Sequence, residues 1–100
     1  MFSLAYKLGL FLPSSRSFEG MGYNRNAEYL VAFGKHFRKL RNKSGISQEN
    51  LALEADVDYQ VIYRIEKGIN NPTISTLLAL SKAIGVHPRD FLDFDFPQQL

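Results

Sequence analysis

Gln60 and Arg64 lie four residues apart in the run "YQVIYRIEKG", residues 59 to 68. If that run is helical, the spacing puts an amide and a guanidinium on one face. Glutamine can form a pair of hydrogen bonds with adenine, and arginine with guanine, so the two side chains have the chemistry of a base reader. Ordinary solvent exposure would place them the same way. Tyr59 and Tyr63 share the spacing and could equally pack on neighbouring side chains.

Reaction chemistry is missing from the rest of the chain. There is no nucleophile beside a base and no glycine-rich phosphate loop. Cysteine is absent, which removes disulfides, thiolate nucleophiles and cysteine zinc sites and agrees with an intracellular protein. His36 and His87 stand far apart in no ligand spacing. Asp93-x-Asp95 lacks the further oxygen ligands and the glycine of a calcium loop. The expectation is a cytoplasmic protein that is not an enzyme, with no metal, no cofactor and no small-molecule ligand.

At 100 residues the chain makes one small domain with little core to spare for an enclosed site. The net charge of +2 belongs to residues 1 to 26, leaving residues 27 to 100 neutral with nine charges of each sign. Overall basicity therefore gives no support for a nucleic-acid partner, whereas distribution does. Lys35, Arg38, Lys39, Arg41 and Lys43 fall within nine residues free of acid, a pattern that a merely solvated helix face would also give.

The first 20 residues, "MFSLAYKLGLFLPSSRSFEG", are broken by Lys7 and stopped by Pro13, so the apolar run is too short to span a bilayer. It lacks the basic start and clean cleavage site of a signal peptide. Residues 1 to 26 read as an extension, with Met21 an alternative start, an arm packed on the domain a second possibility and targeting a third. No membrane association is expected.

From Ala27 the pattern turns helical. Leu30, Phe33, Phe37 and Leu40 form one stripe on a helix running to about Lys43 and stopped by Gly45. Ser47 offers an N-cap to a short second helix over 48 to 55, with Leu51, Ala52 and Ala55 inward. Asp58 caps a third, to about Lys67, with Ile62 and Ile65 inward and Gly68 at its end. Thr73 opens a fourth helix through Ile84, whose inward side is expected to be Ile74, Leu77, Leu78, Leu80 and Ile84, ended by Gly85. "VHPRDFLDF" reads as a fifth short helix with Pro88 at its first position. Helices of about eight residues are marginal alone, so the second and third must brace each other. That is the plan of a helix-turn-helix, whose second helix presents its outer face to a major groove.

The stretches "LRNKSGISQENLA", "YRIEKGINNPTISTLLALSKAIGV" and "HPRDFL" closely resemble the phage repressor and Cro-like, XRE-type, family of helix-turn-helix regulators over about residues 30 to 94. With Gln48 as the first position of the motif, Leu51, Ala52, Ala55, Val57, Ile62 and Ile65 occupy its apolar places. Asp56 stands where the family usually has a left-handed glycine, at a small expected cost in stability. The resemblance implies an all-α, five-helix, lambda-repressor-like DNA-binding domain over 27 to 96, followed by a short tail, 97 to 100.

The resemblance also implies roles. Tyr59, Gln60 and Arg64 face base edges with Tyr63 flanking the groove, and Gln48 contacts a phosphate. Lys67, Asn70, Asn71 and Thr73 are available to the DNA backbone, although the same loop composition makes a plain turn. Arg41 and Glu66 match a structural ion pair between the first and third helices. Arg38, Lys39 and Lys43 are expected to add diffuse attraction to phosphates.

One module reads few base pairs, so the economical design is a homodimer on a palindromic site in double-stranded DNA, with Phe91, Leu92, Phe94 and Phe96 as apolar glue. Phe91 and Leu92 are expected also to close the core, and "FLDFDF" could pair as a short strand across the two-fold axis. The expected activity is that of a transcriptional regulator, most simply a repressor. Restriction-modification controllers and antitoxins are sub-types of the same size, and a protein-interaction module built on the same fold is the alternative from another class.

Overall fold

The structure is a computed structural model that describes residues 25 to 97. The expectations for residues 1 to 24 and 98 to 100 lie outside that range. Four α-helices and one 3-10 helix follow one another: α1 is Ala27–Ser44, α2 Gln48–Ala55, α3 Tyr59–Glu66, α4 Ile74–Ile84, and the 3-10 helix Pro88–Leu92.

Each α-helix starts where a short polar side chain can take over an unpaired backbone N–H. Asn26 accepts from the Tyr29 N–H at 2.8 Å, Ser47 from Asn50 at 3.0 Å, Asp58 from Gln60 at 2.8 Å and Thr73 from Thr76 at 3.2 Å. Gly45 and Gly85 end α1 and α4 in the left-handed region. Asp56 ends α2 with φ 57° and ψ 48°, the left-handed conformation that the motif requires there. From that corner the Val57 N–H reaches back to the Ala52 carbonyl at 3.1 Å.

α1 packs on α3, α2 on α3 and α4, and the 3-10 helix closes the bundle against α4 and α1. Phe37, Leu51, Ile62, Ile65, Leu80 and Phe91 are fully buried at the centre. Gly34 brings α1 and α3 together. A Cβ at this position would stand 2.2 Å from the Ile65 carbonyl oxygen, so only glycine permits the approach.

Several expectations give way here. The fifth helix forms where expected, over Pro88–Leu92, but as a 3-10 rather than an α-helix. His87 and Asp90 cap it reciprocally, the His87 Nδ1 accepting from Arg89 N–H and the Asp90 carboxylate from His87 N–H, both at 3.0 Å. Within the single chain no strand forms among the described residues, and 93 to 97 are irregular.

On α4 the inward stripe is Leu77, Leu80, Ser81 and Ile84, with Ser81 fully buried and its hydroxyl donating to the Leu78 carbonyl at 2.7 Å. Ile74 and Leu78, expected inward, lie on another side and are 80% and 44% exposed. Leu92 does not close the core either and is 52% exposed, because the tight 3-10 helix turns Phe91 inward and leaves Leu92 outside.

Gly34→Ala gains about 1 kcal/mol of helix propensity but must push α1 off a backbone carbonyl. A net loss of about 1 to 3 kcal/mol is expected in urea unfolding. Asp56→Gly should do the opposite, adding about 1 kcal/mol by relieving a left-handed non-glycine residue and removing an anion from a helix C-terminus.

Candidate nucleic-acid interface

The site is organised around a carboxylate that the solvent barely reaches. Glu66, the last residue of α3, has a side chain 3% exposed. Arg41 from α1 donates to it through two nitrogens, at 2.6 and 2.9 Å. A third guanidinium nitrogen donates to the Ile46 carbonyl at 2.9 Å. The hydrogen bonds that Arg41 donates to Glu66, partly offset by burial, raise the Arg41 pKa above the ordinary guanidinium value. A cation with a raised pKa contributes stability that is complete below its unfolded value and lost only above it. Arg41 therefore stays charged at any working pH.

Glu66 also holds Gln48, whose Nε2 donates to it at 2.8 Å. The Gln48 carbonyl oxygen in turn accepts from the Tyr59 hydroxyl at 3.0 Å. These two bonds fix which way the Gln48 amide is turned and leave one Nε2 hydrogen unused. Tyr59, expected at base edges, is half-buried with its ring against the core. Its hydroxyl is committed to Gln48, so its side chain positions another residue instead of standing open on the outer face.

The outer face of α3 is left to Gln60, Tyr63, Arg64 and Lys67, all exposed, at spacings of three and four residues. Ile62 and Ile65 on the opposite side have no exposure at all. The Tyr63 ring stacks on Tyr59 with centroids 6.3 Å apart, and the Lys67 ammonium lies 5.7 Å from the Tyr63 ring centre. An open cleft runs beside this face, lined by Arg38, Arg41, Ser47, Gln48, Tyr63 and Lys67 and by the carboxylates of Glu49 and Glu66, the latter already neutralised by Arg41. It joins the amino end of α2, where backbone N–H groups and the helix dipole favour an anion, to two exposed cations.

Other expected phosphate ligands are dispersed. Arg38 leans toward Glu66 at 4.0 Å while its side chain stays 65% exposed. Lys39 is exposed on α1. Lys43 borders a different cleft, with His36, Ile84, Asp90 and Asp93, so the basic run of α1 does not form one patch. In the loop after α3, Asn70 donates to the Val61 carbonyl at 3.4 Å, and the Thr73 hydroxyl caps α4. Asn71 is exposed.

Phe91 cannot serve a dimer interface, because the monomer buries it completely. Phe94 and Phe96 are half-buried against Tyr29, with ring centroids 5.2 and 4.9 Å away, and Phe94 also lies 5.3 Å from His36. The imidazole Nε2 is 2.7 Å from the Asp90 carbonyl and so donates to it. None of these His36, Tyr29 or Gly34 contacts was legible beforehand, since each partner lies far off in the chain.

Two short helices, a left-handed corner and an outward polar stripe define a helix-turn-helix. The sequence profile of the helix-turn-helix family matches residues 37 to 91, and the chain belongs to that family of DNA-binding regulators. It is similar to the control protein C.BamHI of Bacillus amyloliquefaciens, 44% identical over 65 residues that cover 64% of this chain and 80% of the relative. It is also similar to the HTH-type transcriptional regulator y4dJ of Sinorhizobium fredii, 36% identical over 53% of this chain and 69% of the relative. Among solved structures it resembles the restriction-modification controller protein C.AhdI from Aeromonas hydrophila. The TM-score is 0.62 at 34% identity, over 64% of this chain and 97% of the other.

Glu66→Ala would leave the Arg41 charge buried without its carboxylate and should cost about 3 to 5 kcal/mol. Tyr59→Phe removes a single hydrogen bond and should cost about 0.5 to 1.5 kcal/mol. Denaturant melts of the two variants check the contrast.

Proposed function

We propose that this chain is a sequence-specific DNA-binding transcriptional regulator of the restriction-modification controller kind, acting in the cytoplasm as a homodimer on a palindromic operator. The observation that carries the reading is the two-sidedness of α3: Ile62 and Ile65 have no exposure, while Gln60, Tyr63 and Arg64 face out together. An amide and a guanidinium on one helix face suit adenine and guanine edges. The likeness to C.BamHI and C.AhdI supports the sub-type. Gln48, Arg38, Lys67 and Asn71 are the phosphate ligands in this reading, and they fix the register of α3 in the groove.

The mechanism is occupancy. Each copy lays α3 in the major groove, and half-sites one helical turn apart take the two copies. Residues 27 to 96 carry the binding.

Fluorescence anisotropy with DNA from the region upstream of the gene tests this. Gln60→Ala and Arg64→Ala should each weaken operator binding by about 1 to 3 kcal/mol and leave binding to random DNA unchanged. Lys67→Ala should weaken both equally and flatten the slope of log affinity against log salt by about 1. Equal losses on operator and random DNA for the first two variants would remove the base-reading role.

A further inference from the structure

We propose that Arg25 is a positioning residue for DNA binding: its guanidinium clasps the loop 67 to 73, so that Asn71 meets the phosphate backbone already ordered. The inference rests on the DNA-binding reading above and extends the binding unit to a residue ahead of the segment 27 to 96. Arg25 Nη2 donates to the Ile69 carbonyl at 2.5 Å, joining residues 44 apart in the chain.

The loop is secured at its ends and sparsely held between them. At its start the Gly68 N–H donates to the Ile65 carbonyl and the Ile69 N–H to the Arg64 carbonyl, both at 3.0 Å. Gly68 rests so closely on α1 that a Cβ there would stand 2.8 Å from a Val31 methyl carbon. At the far end the Thr73 hydroxyl caps α4. Inside the span, Ile69 is 54% exposed, so burial of its side chain does little to hold it. Asn71 is exposed, and the Asn70 amide reaches the Val61 carbonyl only at 3.4 Å, long for an N–H···O bond. The Arg25 bond falls inside this span. Its donor is charged, and charge-assisted bonds are the stronger kind.

What the clasp does follows from where the phosphate ligands sit. A loop left loose must be ordered when DNA arrives, and that ordering is subtracted from the affinity. A loop already held loses little. Lys67 differs from Asn71, because it still belongs to the end of α3. Its N–H donates to the Tyr63 carbonyl at 3.0 Å, and its ammonium lies over the Tyr63 ring. Loosening the loop should therefore leave the cation in place and cost only the neutral contact.

Two measurements on the full chain test the clasp, the first of them without DNA. Backbone order parameters from nitrogen relaxation at Ile69, Asn70 and Asn71 should fall in Arg25→Ala from near the rigid value of about 0.85 toward about 0.6. The melt should stay native, because Arg25 is exposed and precedes the first helix. In fluorescence anisotropy, Arg25→Ala should bind operator and random DNA about threefold to tenfold more weakly. The slope of log affinity against log salt should not change. Asn71→Ala should cost less in the Arg25→Ala chain than in wild type, since two residues acting through one loop are not additive.

Unchanged order parameters in Arg25→Ala overturn the proposal, as does a loosened loop that binds DNA like wild type. A slope flattened by about 1 with fully additive losses would make Arg25 a direct phosphate ligand and overturn the positioning role. A wild type that binds no DNA would remove the reading above and the consequence for binding with it, whereas the order parameters judge the clasp in either case.

Discussion

The Arg41 to Glu66 pair is the constraint on which the rest of the arrangement hangs. Its donors and acceptors come from α1, from the turn at Ile46, from the first residue of α2 and from the last residue of α3. A buried carboxylate without these partners would be strongly unfavourable, so any packing that slides one helix past another loses more than contact area. Hydrophobic burial alone is less exacting, because apolar side chains tolerate several registers. The ion pair does not make the bundle compact; it makes one packing of it better than its neighbours.

The same network reaches the surface. Through Glu66 it turns the Gln48 amide, and through Gln48 it engages Tyr59, at the opposite end of α3 from Glu66. A side chain already held in place loses little freedom when it meets a phosphate, and affinity rises with such preorganisation. The close approach at Gly34 adds a second restraint on α3, again from α1. The helix that faces outward is thus pinned from α1 at two points and from α2 at a third.

Much of this was legible from the order of residues, and the boundary of legibility has a physical cause. Caps are local: the side chain of Ser47 or Asp58 binds an N–H two or three positions on, so sequence neighbours are enough to place a helix start. The inner stripe of α3 was equally clear because Ile62 and Ile65 recur at three-residue spacing between the polar positions Gln60, Arg64 and Glu66. α4 was ambiguous, since its apolar residues fill more than one side and Ser81 had to be recognised as the buried member. Spacing alone left Tyr59 open between the outer face and packing on its neighbours, because its partner Gln48 is eleven residues away. Nothing near Gly34 in the sequence marks it, because the carbonyl that forbids a side chain belongs to Ile65. Lys43 joined a basic cluster in sequence and left it in space, where the helical turn carries it to Asp90 and Asp93.

The separation of the two sides of α3 has a consequence for how such a protein can change over time. The side chains of Gln60 and Arg64 take no part in the hydrogen bonds or ion pairs of the described residues, whereas Ile62, Ile65 and Glu66 carry the packing. Exchanges at the first two positions leave caps, core and ion pair untouched, and surface substitutions of that sort are usually worth within about 0.5 kcal/mol of stability. The fold can therefore be inherited unchanged while the outward residues drift, and a lineage of such proteins can acquire new binding sequences one substitution at a time without passing through unfolded intermediates.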